Sequence, residues 1–586
     1  MSKEFIKLPE LTLKALFEYS IKEYGDKPAF QFVDGEVTTY KQLAMNVYHV
    51  QDMLIEYGIK KGDRVAIYSE NMPNWSSVYL AITTMGAVAV PILPDFHTSE
   101  ALHIANHAEC KAAFISQKLF ETMLDETQPP NLNLLVILNE FKILEKLSTP
   151  SRMDMVMKRG EEQFSKVMKS GEEQFSKVMD KMGMSKKSDA EVIEEDIDKV
   201  LIDEKDLAAI IYTSGTTGSS KGVMLSHINL VSNVTNAQHM LDIYPEDKFL
   251  SILPLAHTLE CTTGMLIPLL NGASVHYIKK TPTPTVLIKA LATVKPDLML
   301  SVPLIIEKIY KNKILPNFNK NIFIKTIYAI PFFRKKLNEI AGKKLIETFG
   351  GNIRFFGIGG AGVSPTVEKF LREAKFPYAI GYGLTETSPL LAGTNANHTK
   401  YKAIGPVIPG TQLQLRDVKD GVGILWAKGP NVMMGYYKDP EKTAEVLDED
   451  GWFNTEDMGY IDEEGYFFMS GRAKNIIVGP SGENIYPEQI EAALNAHPFV
   501  SDSLVLDKDG TLTARIYLDY EKLDDILGAT KKSETKAREK VQEILEEIRK
   551  EVNESVSSFS RIKKVIEQKE EFVRTPTKKI KRYLYL

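Results

Sequence analysis

The segment Tyr212 to Gly222, YTSGTTGSSKG, packs six serine or threonine residues, three glycines and one lysine into eleven positions. That composition suits an anion of the phosphate type. Glycines let backbone N–H groups converge on an anion, hydroxyls add donors, and a lysine adds charge. Thr213, Ser214, Thr216 and Thr217 are the candidate donors, Gly215 and Gly218 the turning points, and Lys221 the cation. The spacing is not that of a Walker loop, which places a glycine before its lysine and Ser or Thr after it; here Ser220 precedes Lys221 and Gly222 follows. Taken alone, the glycines and hydroxyls read equally well as a surface turn.

Six later stretches carry further polar groups, most with a plain alternative. LPLAHTLECTTG, Leu253 to Gly264, holds His257, which by itself is more often a core histidine than a working one. Phe355 to Ile358 reads as a strand running into the glycine-rich exit Gly359 to Gly362. In GYGLTET, Gly381 to Thr387, Tyr382 offers a flat ring while Thr385 and Glu386 offer oxygen ligands for a hard cation. By composition alone it could equally be a capped helix start. Asp457 and Arg472 lie in GWFNTEDMGYIDEEGYF and GRAKNIIVGPSGENIYPEQIE, where abundant acidic residues would by default be solvated-face charges. The ending RTPTKKIKRYLYL would otherwise be a basic tail.

In this order the motifs resemble the adenylate-forming superfamily of acyl-CoA synthetases, luciferases and peptide-synthetase adenylation domains. PLAHTLECTTG, GENIYPEQIE and TPTKKIKR are most similar to long-chain fatty-acyl-CoA synthetases. The resemblance implies that the Thr213 to Lys221 loop holds the triphosphate, that Gly360 and Ala361 wall the adenine, and that Tyr382, Gly383 and Thr385 contact the nucleotide. It implies Glu386 as magnesium ligand, Asp457 and Arg472 at the ribose, His257 near the carboxylate, and Lys474 as a hinge. Gly479 and Gly482 belong to the loop facing the coenzyme A channel. Lys579 is the catalytic lysine that reaches the carboxylate and α-phosphate; Lys578 stands where the family usually has glycine. Amino-acid-activating relatives carry an aspartate near His257, and none occurs in this stretch.

The implied reaction is ATP- and Mg2+-dependent activation of a long-chain fatty acid through acyl-AMP, then thioester formation with coenzyme A. Acyl-carrier protein as acceptor, an aryl or medium-chain acid as substrate, and a silent membrane-associated acyl or nucleotide binder are the alternatives.

These groups need a scaffold, and the hydrophobic periodicity supplies one. Helical spacing at Leu11 to Tyr24, Thr39 to Tyr57 and Asn74 to Met85 alternates with strand-like runs at Ala29 to Val33, Val65 to Tyr68 and Ala87 to Ile92. After the loop, Val223 to Leu225 reads as a strand and Ser226 as the cap of a helix from His227 to Leu241. Residues 279 to 350 are helix-rich and basic, with Pro303, Pro316 and Pro331 marking breaks. The pattern predicts an α/β fold: a large N-terminal domain of several subdomains, with mixed sheets flanked by helices, over 1–471, a hinge at 472–475, and a small mobile α+β domain over 476–586.

Within 150–200 the string GEEQFSKVM occurs at Gly160 and again at Gly171, an exact period of 11. Met, Phe and Val recur in phase, giving an amphipathic helix or hairpin that packs on the protein itself, on a membrane, or on a second copy.

A 586-residue chain with 43% hydrophobic residues has ample material for more than one core. The net charge of −6, from 72 basic and 78 acidic residues, excludes a large basic field for nucleic acid. Two distant cysteines, no signal-like start and no run of about eighteen apolar residues predict a cytoplasmic protein with peripheral membrane contact left open.

Overall fold

Val65 to Tyr68, Ala87 to Ile92 and Leu207 to Ile211 are apolar without alternation, which suits strands covered on both faces. In the computed structural model they lie inside an eight-stranded sheet ordered Gly435–Tyr436, Ser220–Ser226, Leu207–Ser214, Val88–Ile92, Arg64–Tyr68, Cys110–Ile115, Leu134–Ile137, Lys142–Ile143. The structure describes residues 5–123, 132–144, 200–214, 220–280, 282–318, 320–478, 483–508, 510–527, 534–575 and 579–586. The tandem repeat, the loop residues Gly215, Thr216, Thr217 and Gly218, and Gly479 and Gly482 lie outside these.

A second eight-stranded sheet runs Leu390–Gly393, Tyr378–Gly383, Phe355–Ile358, Leu298–Ser301, Lys248–Ser251, Ser274–Tyr277, Pro28–Phe32, Val37–Thr39. Its interior pairs are parallel and its outermost pairs antiparallel. The helix Pro73–Thr84 packs on strands of both sheets. Every residue from Trp75 to Thr84 is buried, as a helix apolar on all sides requires.

A four-stranded antiparallel sheet follows, of Gln412–Lys419, Val422–Lys428, Phe453–Ile461 and Phe467–Arg472. Burial alternates along Val422–Lys428, so one face is covered and the other wet. Beyond it, Val500–Lys508, Thr511–Leu518 and Lys564–Gln568 form a three-stranded sheet. Ile490, Leu494, Leu545 and Ile548 from two helices give this part its own apolar core. The α/β architecture with a small α+β C-terminal unit is the one the sequence predicts. Among the described residues no helix is long and apolar enough to cross a membrane.

Two local expectations need correction. The helix capped by Ser226 and Asn229 ends at Ala237, not Leu241; at Gln238 the side-chain amide accepts from Ile6 N and donates to Ile6 O, tying this end to the N-terminal segment. Pro303 and Pro331 start helices at the position that tolerates proline. Pro316 breaks nothing: it follows a π-helical stretch, Tyr310–Ile314, whose wider turn adjusts the ladder before the ring.

Candidate active site

The phosphate-type loop is the tip of a hairpin. Tyr212 pairs with Gly222, Thr213 with Lys221 and Ser214 with Ser220, so the tight pairing of the two strands fixes where the loop emerges. On the outer side Met224 and Val223 pair with Gly435 and Tyr436. The Lys221 ammonium lies 5.1 Å from the centre of the Tyr436 ring. Tyr436 in turn donates its hydroxyl to Glu386 Oε1 at 3.0 Å. Burial and the nearby Lys442 and Lys474 push the Lys221 pKa down, opposed by Glu386 and Glu456. A cation strained in this way gains from a neighbouring polyanion. Tyr436 is not among the residues that the sequence singles out.

A second cluster forms where the eight-stranded sheet containing Tyr378–Gly383 meets the four-stranded one. Asp457 and Arg472 sit opposite each other on adjacent antiparallel strands. Arg472 Nε is 3.0 Å from Asp457 Oδ1, and Tyr382 donates its hydroxyl to Asp457 Oδ2 at 2.8 Å. Thr455 Oγ1 accepts from Asp457 N at 3.1 Å and donates to Leu425 O at 2.7 Å, locking the strand that carries the carboxylate. Asp457 is 1% exposed, so the solvated-face alternative fails for it. Burial raises its pKa, with Arg472 and Tyr382 acting against that. Its Oδ1 has no hydrogen-bond donor despite the ion pair, leaving a buried acceptor with capacity for a ligand hydroxyl. The Tyr382 ring is tilted over Phe467 at 5.3 Å.

Backbone shape completes this wall. Gly360 has φ +84, which an L side chain rarely adopts, and Gly360 and Ala361 are exposed at the strand exit. A Cβ on Gly383 would lie 1.8 Å from Pro389 O, so only glycine fits before the short helix Thr385–Thr387. Thr385 is buried and Glu386 half-buried there.

His257 leaves the strand Lys248–Ser251 through a turn clamped by Asn71, which accepts from Leu255 N at 2.8 Å and donates to Leu253 O at 2.6 Å. His257 Nδ1 accepts from Leu259 N at 3.2 Å, which puts the ring proton on Nε2. Desolvation, aided by the Lys579 ammonium, lowers its pKa to about 4, so it is neutral at pH 7. Lys579 itself is exposed by surface area, yet the protein packed around it and the Arg472 guanidinium push its pKa down; Asp457 and Glu386 pull the other way. The C-terminal lysine thus lies within electrostatic reach of His257, Glu386, Asp457 and Arg472. Lys474, in the short helix Ala473–Asn475, pairs with Glu456 Oε1 at 2.6 Å.

Beside this polar cleft is a cavity of about 50 Å3. Leu259 and Thr263, just after His257, line it, with Leu300, Gly357 and Gly381 from the second eight-stranded sheet and Gly359 at a strand exit. Its wall is apolar apart from threonine hydroxyls and backbone.

The polar cleft thus gathers His257, Glu386, Asp457, Arg472 and Lys579 on an α/β scaffold with a smaller C-terminal unit. The model of the AMP-binding enzyme family matches residues 17–437, and the chain belongs to that family. The peroxisomal long chain acyl-CoA synthetase 7 of Arabidopsis thaliana is 27% identical over 554 residues, covering 88% of this chain and 75% of its own. A chloroplastic long-chain-fatty-acid–acyl-carrier-protein ligase of the same plant is 27% identical over 569 residues, covering 84% and 74%. The crystal structure of ATP-bound MatB from Rhodopseudomonas palustris shares the fold, with TM-score 0.70 at 22% identity over 98% of both chains. Family and relatives define an AMP-forming acid–thiol ligase, a class that uses ATP, Mg2+ and coenzyme A.

Proposed function

We propose that the protein joins a long-chain fatty acid to coenzyme A through an acyl-AMP intermediate. One juxtaposition supports this reading above all: an apolar cavity adjoins a cleft holding His257, Lys579 and the buried Asp457–Arg472 pair. A carboxylate reacts poorly with a thiol because its leaving group would be oxide. Conversion to a mixed anhydride with AMP removes that obstacle.

In the first half-reaction the apolar cavity receives the acyl chain and the neutral His257 Nε2–H donates to the carboxylate. Lys579 draws the acid oxygen toward the α-phosphorus, and pyrophosphate departs in line. Positioning and charge stabilisation are the protein's contribution. Asp457 Oδ1, unsatisfied within the protein, accepts from ribose hydroxyls, with Arg472 alongside. Lys221 and the Thr213 to Gly218 loop bind the β- and γ-phosphates; Gly360, Ala361, Tyr382, Gly383 and Thr385 border adenine and α-phosphate.

Mg2+ fits the donor set. Among the described residues no group of three His, Cys, Asp or Glu could hold a metal. None is needed, because Mg2+ is commonly held by one or two carboxylates together with substrate phosphates, and Glu386 supplies the carboxylate. When bound, the ion neutralises phosphate charge.

For the second half-reaction the unit 476–586 turns about the hinge 472–475 relative to 1–471, withdrawing Lys579 and bringing the loop of Gly479 and Gly482 to the thiol channel. The rotation gates the reaction without altering its chemistry. The thiol then attacks the acyl carbon and AMP leaves. A carrier-protein thiol is the second reading, favoured by the likeness to the acyl-carrier-protein ligase.

Carboxylate-dependent pyrophosphate release, measured from acetate to stearate with and without coenzyme A, tests the proposal. Release favouring long chains, with acyl-CoA formed, is expected. Release without acyl-CoA shifts the acceptor to a carrier protein, and no release with any acid overturns adenylation.

A further inference from the structure

The strands Leu298–Ser301 and Phe355–Ile358 both line the apolar cavity, through Leu300 and through Phe355 and Gly357. Between them the chain makes a helical excursion that includes Ile322–Ala329 and Pro331–Thr348. The first of these helices has no buried residue. Large apolar side chains stand in solvent instead: Ile322 is 79% exposed, Phe323 70% and Phe332 66%, with Ile330, Phe333 and Ile340 also exposed. Phe333 and Ile340 are seven residues apart in the second helix, so they share a helical face, and Ile330 stands in the extended joint between the two helices. The Phe332 and Phe333 rings meet edge to face at 5.4 Å, at the corner where the two helices join.

The charge around this patch opposes that of the whole chain. From Lys320 to Thr348 there are seven basic and two acidic residues, whereas the chain carries −6 overall. Glu339 pairs with Lys375 and Arg334 with Glu373. Lys335, Lys336, Lys343 and Lys344 are exposed along the second helix, interleaved with Phe333 and Ile340. Phenylalanine and isoleucine in a ring of lysines match the acyl boundary and headgroups of an anionic bilayer. A protein groove would match the apolar groups but gives no reason for the excess of lysine.

We propose that the corner formed by Ile322–Ala329 and Pro331–Thr348 docks the enzyme on an anionic lipid surface, its aromatic side chains in the acyl boundary and its lysines on the headgroups. The excursion between two cavity-lining strands then lies against the phase where a long-chain acid is dissolved. The proposal concerns the surface and does not depend on the acyl assignment, because its test contains no substrate.

The test is cosedimentation of the full-length protein with vesicles of phosphatidylcholine alone and of an equal mixture with phosphatidylserine. Partitioning onto the anionic vesicles, weakened by added salt, is expected. The double substitutions Phe332→Ser with Phe333→Ser, and Lys335→Glu with Lys336→Glu, should each weaken it about tenfold or more, with circular dichroism and thermal midpoint unchanged. Partitioning that survives both pairs, or equal partitioning onto neutral vesicles, overturns the proposal. So does a concentration-dependent dimer in sedimentation velocity that the phenylalanine pair abolishes, since a second copy then covers the patch.

Discussion

Asp457 and Lys579 come to the same cleft by different structural routes. Asp457 is held by its own surroundings: Arg472 across the ladder, the Tyr382 hydroxyl, and Thr455 beneath. Lys579 is held by the C-terminal unit. Thr575 N donates to Lys579 O at 2.7 Å, Lys579 N donates to Thr575 Oγ1 at 3.1 Å, and the segment is tied back through the Arg574–Asp502 pair and through Phe572 on Leu504 and Leu506. Polar links from that unit to the rest include an exposed bond from Lys522 to Asn312 and a part-buried one from Gln489 to Ser470, which the proposed rotation would exchange with water. A buried, preorganised site suits binding, whereas a lysine on the C-terminal unit would, with the proposed rotation, suit a charge needed in only one of two steps.

The comparison breaks first at Lys579. Lys579→Ala should slow pyrophosphate release about 10²–10³-fold, as loss of a transition-state donor does, while ATP affinity measured by calorimetry changes little. A matching loss of ATP affinity would make the lysine a binding residue. Lys474→Pro comes next, since proline fixes φ at the hinge. Thioester formation should fall about 10²-fold, the cost of misplacing a reacting group, with pyrophosphate release retained; equal loss in both half-reactions would remove the hinge role. Asp457→Asn keeps the shape and weakens the acceptor, so KM for ATP should rise about tenfold with kcat less affected.

The smallest effect is on stability. Burial lowers the pKa of His49, His227 and His276 to about 4, and His257 reaches the same value with help from Lys579. In the unfolded chain they titrate near the ordinary histidine value of about 6.5. Below that pH the unfolded state binds protons that the folded state refuses, so stability is full above about 6.5 and falls as pH drops toward 4. The thermal midpoint should fall by at least a few degrees over that window; a flat profile would contradict buried neutral histidines.

Much of the scaffold was legible because apolar runs and turn residues are local signals. The strand Phe355–Ile358 has the predicted boundaries, and the helices Leu13–Tyr24 and Tyr40–Glu56 lie within a residue or two of theirs. Asp457 and Arg472 could be named because each sits in a recognisable string, and their pairing follows from one tight hairpin-like return between adjacent strands. What escaped is long-range. The bond from Tyr382 to Asp457 spans 75 positions, and that from Tyr436 to Glu386 spans 50, and no periodicity within either segment encodes them. The same holds for Glu456 opposite Lys474, one acid among several until the chain is folded. The exposed corner at Phe332 and Phe333 escaped as well, because an apolar helix pattern announces burial and does not reveal which face lacks a cover.

Formation of an acyl-adenylate is the claim on which the rest stands. A long-chain acid with heavy-isotope oxygen in its carboxylate, incubated with the enzyme, ATP and coenzyme A, tests it directly by mass spectrometry of the phosphate products. If the carboxylate attacks the α-phosphorus and the thiol then attacks the acyl carbon, AMP leaves carrying one labelled oxygen. Label in inorganic phosphate with ADP as the partner product, or AMP free of label, would contradict the account.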